Sequence, residues 1–168
     1  RGISYTELGR PDQALNDLNQ ALAMQPNDPQ ILNHRAMAYL RSDRSEKALE
    51  DINKTIEAQP QYAQAYITRG QIYENLRRFD LAFEDYTRAS ERDPSLAKAW
   101  FHRANVLAKQ GRLDQAIPDW TETIRLEPKN ATAYYLRGRA YRQIGREDEA
   151  IADIKTARRL DPDLDASN

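Results

Sequence analysis

AQAYITRGQIYENLRRFDLAFEDYTRASERDPSL, residues 63 to 96, decides the fold, because related stretches stand on both sides of it at a fixed spacing. Proline recurs at steps of 34 residues: Pro26, Pro60, Pro94, Pro128 and Pro162. Alanine keeps the same step: Ala14, Ala48, Ala82, Ala116 and Ala150. Proline makes up about one residue in twenty of an average protein, so five in strict register indicate a repeated structural unit.

Each unit has the pattern of two helices joined by a turn. Tyr66, Gly70 and Tyr73 fall on one face of a predicted first helix. The glycine-free stretch from 79 to 92 gives a second helical pattern, and Pro94 closes the unit. The sequence therefore predicts a helix, a turn and a second helix in every copy.

These residues resemble the motif of the tetratricopeptide repeat family. The aromatic, small and proline positions of that motif are occupied here by Tyr66, Gly70, Tyr73, Ala82, Tyr86 and Pro94. Arg69 stands where the usual motif has leucine, and the same departure recurs in every copy, which indicates a subtype of the family. The resemblance implies an all-α fold, a right-handed α-solenoid of antiparallel helix-turn-helix repeats.

The 168 residues divide into one array of copies. Residues 1–28 form a partial copy, residues 29–62, 63–96, 97–130 and 131–164 form complete copies, and residues 165–168 form a tail. Arg1-Gly2-Ile3-Ser4-Tyr5 aligns with the middle of a first helix, residues 69 to 73. We therefore expect the chain to begin partway through a repeat and to be a piece of a longer protein.

Composition limits the class of partner. Lysine and arginine number 25 against 26 aspartates and glutamates, and a net charge of -1 argues against a nonspecific nucleic-acid binder. No apolar run approaches the roughly 20 residues of a membrane span, and no signal-peptide pattern appears. The chain shown is expected to be soluble and without a membrane partner. The lack of cysteine leaves the compartment open, with the cytoplasm as the default expectation.

Four charged columns recur in all five copies. The three invariant columns are Arg1, Arg35, Arg69, Arg103, Arg137; Arg10, Arg44, Arg78, Arg112, Arg146; and Asp17, Asp51, Asp85, Asp119, Asp153. The fourth column is acidic: Asp12, Glu46, Asp80, Asp114 and Asp148. We expect the first arginine column to pair with the aspartates of the same copy, and the fourth column to meet the positive end of the second helix. Pairs that are partly exposed would contribute about 1 kcal/mol or less each. The alternatives are an arginine ladder for polyanions and a carboxylate ladder for metal or acid-base chemistry.

The resemblance also implies where a partner binds, because in such proteins the first helices line a concave groove. Positions two, five, nine, twelve and thirteen of each copy then face the ligand. The candidate partner-binding residues are Asn33, Met37, Leu40, Arg41, Ile67, Gln71, Glu74, Asn75, Lys98, Phe101, Asn105, Lys109, Tyr135, Arg139 and Arg142. These positions vary between copies, as expected for residues that determine specificity. Residues common to every copy are expected to serve folding.

The candidate residues form a gradient along the array. One end is apolar, with Ile3, Met37 and Leu40, and the other surrounds aromatic residues with Lys98, Lys109, Arg139 and Arg142. An extended protein segment with an apolar part and an acidic or C-terminal carboxylate part would match both ends. The alternative for Phe101 and Tyr135 is that they fill the space between adjacent first helices.

The sequence lacks the residues that more specific kinds of partner binding, metal binding or catalysis would require. The carboxylate clamp of some relatives needs lysine and asparagine at positions five and nine, but Phe101 accompanies Asn105. The asparagine ladder of others is replaced by His34, Thr68, His102 and Leu136. The two histidines stand two copies apart without other ligands, and no phosphate loop or nucleophile-base pair appears. We predict no metal, no cofactor and no catalytic residues.

The function that the sequence favours is a noncatalytic protein-protein interaction scaffold whose groove holds a peptide or an extended segment of a partner. One alternative is self-association into oligomers through the ends or the convex face. Another is an accessory array that places substrates for a larger enzyme. RNA binding is disfavoured by the near-neutral charge.

Overall fold

A computed structural model describes residues 11 to 164 of the chain. Within this range the regular structure is α-helical, and no strand is present. The helices are α1 (Pro11–Met24), α2 (Pro29–Arg41), α3 (Ser45–Ala58), α4 (Ala63–Asn75), α5 (Phe79–Arg92), α6 (Ala97–Lys109), α7 (Leu113–Leu126), α8 (Ala131–Gln143) and α9 (Glu147–Leu160). The predicted fold class, an all-α solenoid of helix-turn-helix repeats, is confirmed.

The helices begin where the 34-residue step predicts. The first helices of the four complete copies start at residues 29, 63, 97 and 131, and each packs against the second helix of its own copy. The first of these starts is fixed locally, because the Asp28 carboxylate accepts hydrogen bonds from the backbone N–H groups of Gln30 and Ile31. Pro29 lies in the first turn, where its missing donor costs nothing.

The chain forms two compact units, residues 1–92 and residues 93–168. In the first unit α2 and α3 pack against α4 of the following copy through a buried cluster formed by Ala36, Ala48, Leu49, Ile52, Ala65 and Ile72. In the second unit the largest buried side chain is Trp120, beside other buried residues such as Ala104, Val106, Leu107 and Ile117. The reading of residues 1–168 as one continuous array stays a prediction.

The turn inside each of the four complete hairpins has a left-handed residue at a constant position. The φ angles are 57° at Asp43, 58° at Arg77, 75° at Gly111 and 80° at Gly145. Glycine adopts this region freely, whereas a residue with a Cβ atom loses about 1–2 kcal/mol there. The two glycine turns are therefore relaxed, and those at Asp43 and Arg77 are strained.

Replacing Arg77 with glycine is expected to raise the free energy of unfolding by a few tenths to about 1 kcal/mol. The relief of left-handed strain exceeds the additional entropy that glycine brings to the unfolded chain. Urea denaturation followed by circular dichroism measures the change. Arg78→Gly is the matched control, because Arg78 is not among the left-handed residues and should lose stability. A loss at both positions would contradict the strain argument.

Gly70 is required by the close approach of Tyr86. A Cβ atom at Gly70 would lie 2.6 Å from Cε1 of the Tyr86 ring, which is itself fully buried. We expect Gly70→Ala to lower the free energy of unfolding by about 1–3 kcal/mol, as overpacking in a core does. In copy two the same two positions hold Ala36 and Ile52.

That natural pair supplies the control for Gly70. The double variant Gly70→Ala/Tyr86→Ile should lose less stability than the sum of the two single losses, because the smaller side chain makes room for the new methyl group. Thermal and urea unfolding of the three variants measure this coupling. Strictly additive losses would show that the ring does not exclude the methyl group.

Candidate partner-binding site

The invariant arginine and aspartate columns form ion pairs within each of the four complete copies, as predicted. The Nε–Oδ2 distances are 2.6 Å for Arg35–Asp51 and 2.7 Å for Arg69–Asp85, Arg103–Asp119 and Arg137–Asp153. Each arginine also donates through Nη2 to the second carboxylate oxygen, so every pair is bidentate. The corresponding pair of the first copy, Arg1–Asp17, lies outside the described residues.

These pairs are more buried than a surface ion pair. The aspartate side chains are 1–10% exposed and the arginine side chains 14–21%. The hydrogen bond to Asp85 holds the pKa of Arg69 above its usual value despite partial burial. Breaking such a pair leaves an uncompensated buried charge, which costs more than the roughly 1 kcal/mol of an exposed pair. The paired columns therefore stabilise the hairpins, and their charged groups already bind each other.

A third bond from three of these arginines links successive copies. The Nη1 atom donates over 2.9 Å to an acceptor on the second helix of the preceding copy, in the pairs Arg35–Asn19, Arg69–Asn53 and Arg137–Thr121. The acceptor is asparagine in two copies and threonine in another, yet its role is constant. The acidic fourth column also has its predicted place, since Glu46, Asp80, Asp114 and Asp148 lie in the first turns of their helices.

The second unit contains an open pocket of about 680 Å³. Its walls come from α6 and α8, and α7 contributes residues from between them. The lining residues are Asn105, Ala108, Lys109, Leu113, Trp120, Leu136, Arg139, Ala140, Arg142 and Gln143. A pocket of this volume falls within the range of about 300–1,000 Å³ that ligand-binding clefts occupy.

The rim of the pocket carries positive charge. Lys109, Arg139 and Arg142 line it, and no carboxylate is among its described lining residues. The Arg139 guanidinium lies 5.8 Å from the centre of the Tyr135 ring, which restrains its position. Arg142 has Glu147 at 3.5 Å, but both side chains are more than half exposed and this pair is weak.

The inner surface of the pocket is mostly apolar and held in place. Trp120 is 2% exposed, and its indole Nε1 donates a 3.0 Å hydrogen bond to Oδ1 of Asn105. Leu113 and Leu136 add apolar surface beside the indole. The Trp120 bond uses the carbonyl oxygen of Asn105, so the amide group of that side chain can still donate to a ligand.

The pocket brings together four of the seven residues that sequence reasoning placed in this unit. Asn105, Lys109, Arg139 and Arg142 line it. The other three lie outside its lining: Lys98 is exposed, and Phe101 and Tyr135 are half-buried. The ring of Phe101 meets the imidazole of His102 edge-on with centroids 5.8 Å apart.

The predicted residues of the first unit have different environments. Arg41 is exposed, and Met37 and Gln71 are half-buried. Leu40 packs against the buried cluster that joins copies two and three. Asn33 and Ile67 are only 1% exposed, which keeps their side chains from contact with a ligand.

Two further residues of that unit hold structural hydrogen bonds. Glu74 accepts a 2.7 Å bond from the Tyr86 hydroxyl, and Asn75 accepts a 2.9 Å bond from the Ser45 hydroxyl. Burial, aided by the Glu74 charge, raises the pKa of Tyr86, so its hydroxyl stays protonated and remains a donor. The Glu74 bond fixes the hairpin of copy three, and the Asn75 bond links copies two and three.

Sequence reasoning missed most of the apolar part of the pocket. Leu113, Trp120, Leu136 and Ala140 line it, but none was among the predicted groove residues. Trp120 occupies a second-helix position that elsewhere holds Ile52, Tyr86 and Ile154. The sequence did mark this position by size, because tryptophan is the largest residue in this column, and its indole reaches Asn105 on α6.

The fold defines a repeat scaffold of helical hairpins, with an open pocket between α6 and α8. The family model of the tetratricopeptide repeat matches residues 1–63, 67–122 and 101–165. The chain belongs to the tetratricopeptide repeat family, whose members are generally noncatalytic protein-interaction scaffolds. Within residues 11 to 164, no helix combines the length and apolar character that crossing a membrane requires.

Solved structures with the same fold agree with this assignment. A crystal structure of MamA is 24% identical, with a TM-score of 0.82 over 99% of this chain and 97% of that one. The thermophilic tetratricopeptide repeat protein TTC0263 of Thermus thermophilus is 27% identical, with a TM-score of 0.82 over 99% of this chain and 91% of that one. A comparison with curated protein sequences gave no significant match.

Proposed function

We propose that the chain is an interaction scaffold whose pocket between α6 and α8 binds an extended segment of a partner protein that carries a carboxylate next to an apolar side chain. One observation carries the proposal: three cationic side chains surround a mostly apolar pocket whose described lining contains no acidic residue. The carboxylate belongs to an aspartate, a glutamate or a C-terminal residue of the partner segment.

The cations favour a carboxylate because arginine can bind it through two parallel N–H···O bonds. Arg139 and Arg142 stand three residues apart on α8, so they lie on the same side of that helix. Lys109 extends the positive rim from the end of α6. Exposed cations also steer an acidic segment toward the pocket and make its association sensitive to salt.

The apolar surface accounts for the second part of the ligand. Leu113 and Leu136, which are half-buried, offer a place where a leucine, methionine or aromatic side chain would lose contact with water. The Asn105 bond to the indole and the helical backbone on both walls hold this surface in position before a ligand arrives. A preformed surface reduces the ordering cost of binding.

A peptide selection tests the proposal. A random dodecamer library displayed with free C termini is panned against the purified chain, and the selected peptides are synthesised with a fluorescent label. We expect the consensus to contain a carboxylate beside an apolar residue, and we expect amidation or an Asp-to-Asn change to weaken binding about tenfold or more. Selected peptides that bind equally well after amidation of the C terminus and replacement of every acidic side chain by its amide would contradict the proposal.

A pocket-filling variant tests whether the peptide binds in the pocket. Ala108 lines the pocket, so Ala108→Trp should fill it and weaken peptide binding at least tenfold, measured by fluorescence anisotropy. Ala152→Trp, at an exposed site on α9 outside the pocket lining, is the matched control and should bind normally. Light scattering across a concentration range separates peptide binding from self-association. Equal affinity of the two variants would place the ligand elsewhere.

A further inference from the structure

The segment that follows α9 carries more negative charge than the equivalent loops of the earlier copies. Residues 161–165 read Asp-Pro-Asp-Leu-Asp and include no lysine or arginine. The loops that follow the second helices of the other copies hold at most one carboxylate each: residues 25–28, 59–62, 93–96 and 127–130. We call residues 161–165 the acidic segment. It places Leu164 between two aspartates, so an apolar side chain stands directly beside negative charge.

The acidic segment has the composition of the ligand proposed for the pocket between α6 and α8. The pocket presents Lys109, Arg139 and Arg142 around the apolar side chains of Leu113 and Leu136, and no carboxylate is among its described lining residues. Three aspartates of the segment match three cations of the pocket, and its leucine matches the apolar surface. Charge and hydrophobicity are therefore complementary between two parts of the same sequence.

Two long hydrogen bonds shape the described part of the acidic segment. The backbone N–H of Asp163 donates to the Asp161 carboxylate over 3.2 Å, and that of Leu164 donates to the Asp161 carbonyl over 3.4 Å. Bonds of this length are weak. Asp163 is exposed and Leu164 is half-buried. The bonds that the segment makes within itself therefore oppose its extension only weakly.

A second copy of the chain can present the acidic segment to the pocket more directly than the same chain can. The 14 residues of α9 span about 21 Å between the turn next to Arg142 and the start of the segment. Residues 161–164 are accordingly not among the described residues that line the pocket of their own chain. The segment of another copy is not subject to this separation.

Building on the proposed function, we propose that the acidic segment of one copy of this chain binds in the pocket between α6 and α8 of a second copy. Asp163 and Asp165 pair with Arg139 and Arg142, and Leu164 packs on the apolar surface beside them. The segment and the pocket are different surfaces, so the contact is head-to-tail. Each bound pair still has one unused pocket and one unused segment, from which rings or longer chains assemble.

Light scattering at increasing protein concentration tests this association. We expect the average mass of the parent chain to rise with concentration. Two double variants should remain monomeric: the pocket variant Arg139→Glu/Arg142→Glu and the segment variant Asp163→Asn/Asp165→Asn. The matched controls should associate like the parent: Lys129→Glu/Arg159→Glu, which lies outside the pocket lining, and Asp163→Glu/Asp165→Glu, which keeps both carboxylates. A monomeric parent, or association that neither variant reduces, would overturn the proposal.

Mixing the two disrupted variants gives a more specific result. The pocket variant retains an intact acidic segment, and the segment variant retains an intact pocket. The mixture should therefore form dimers with one copy of each variant and nothing larger, as sedimentation velocity measures. A mixture that stays monomeric although the parent associates would refute head-to-tail binding of the segment in the pocket.

A synthetic peptide distinguishes failure of this inference from failure of the proposed function. Residues 160–167, labelled with a fluorophore and blocked at both ends, carry only side-chain carboxylates. This peptide should bind the segment variant, and adding Ala108→Trp should weaken binding about tenfold or more. If the selected library peptides bind in the pocket but this peptide does not at millimolar concentration, the self-association proposal fails alone. If no peptide binds there through a carboxylate, both proposals fail.

Discussion

Arg103→Leu is expected to lower the free energy of unfolding by about 3–5 kcal/mol, because it leaves a buried carboxylate without its partner. Asp119 has a side chain that is 7% exposed, and it accepts two 2.7 Å hydrogen bonds from Arg103. The variant also loses the contact of the guanidinium with the Trp100 ring, whose centre lies 4.7 Å away. A fall in Tm of about 10 °C follows for a chain of this size.

The location of the ion pair predicts that binding survives the loss of stability. Arg103 and Asp119 are not among the residues that line the pocket, so Arg103→Leu measured well below its Tm should bind the selected peptide normally. Calorimetry gives the Tm and anisotropy the affinity. Arg125→Leu is the control, since Arg125 pairs with Glu122 on the surface and its loss should hardly change the Tm. An unchanged Tm with lost binding in Arg103→Leu would overturn the structural role of the column.

Arg139→Glu/Arg142→Glu is expected to weaken binding of the carboxylate peptide about 100-fold at low salt. Each substitution removes an attraction of up to about 1 kcal/mol at an exposed site and introduces a repulsion of similar size. Because about 1.4 kcal/mol corresponds to a tenfold change in affinity, a 100-fold change needs about 2.8 kcal/mol, which lies below the upper limit of about 4 kcal/mol for the two sites together. The Tm should change little, because both side chains are exposed.

A matched variant separates the pocket from the overall charge. Lys129→Glu/Arg159→Glu changes the net charge by the same amount in the same unit, but neither residue lines the pocket. Its affinity should stay within about threefold of the parent chain at about 0.15 M salt, where charges more than about 8 Å apart are screened. Equal losses in both double variants would show that only long-range charge matters.

Much of the fold could be predicted from the sequence, because the helices recur at the same 34-residue interval as the repeated residues. Pro29 and Pro60 mark where α2 begins and where the loop after α3 lies. The pairing of Arg69 with Asp85 was also predictable, since two invariant columns of opposite charge on adjacent helices have few other partners. The repeated pattern was the evidence for both the helix positions and the ion pair.

The site was harder to predict because variation between copies does not by itself mark a binding residue. Asn53 and Thr121 differ, yet each accepts the same arginine bond from the next copy. Glu74 and Asn75 were placed in the groove for their variability, and each accepts a hydrogen bond from a neighbouring helix. Different side chains can satisfy one structural need, and the sequence column alone does not distinguish this case from recognition.

The burial of a side chain depends on its neighbours, which cannot be read from the residues at one repeat position. Asn33 and Ile67 occupy the same position as Phe101, but they are 1% exposed while Phe101 is half-buried. Trp120 entered the pocket lining because its indole reaches Asn105 across the hairpin. Such outcomes depend on the volumes of neighbouring side chains, which pattern reasoning treats one position at a time.

Residues shared by every copy build the scaffold, and we propose that the pocket between α6 and α8 recognises the partner. Titration of the ¹⁵N-labelled chain with the selected carboxylate peptide tests it most directly, by the change in each backbone amide resonance. We expect the largest changes at Ala108, Lys109, Arg139, Ala140 and Gln143, which line the pocket. Changes confined to residues outside α6, α7 and α8 would contradict the account.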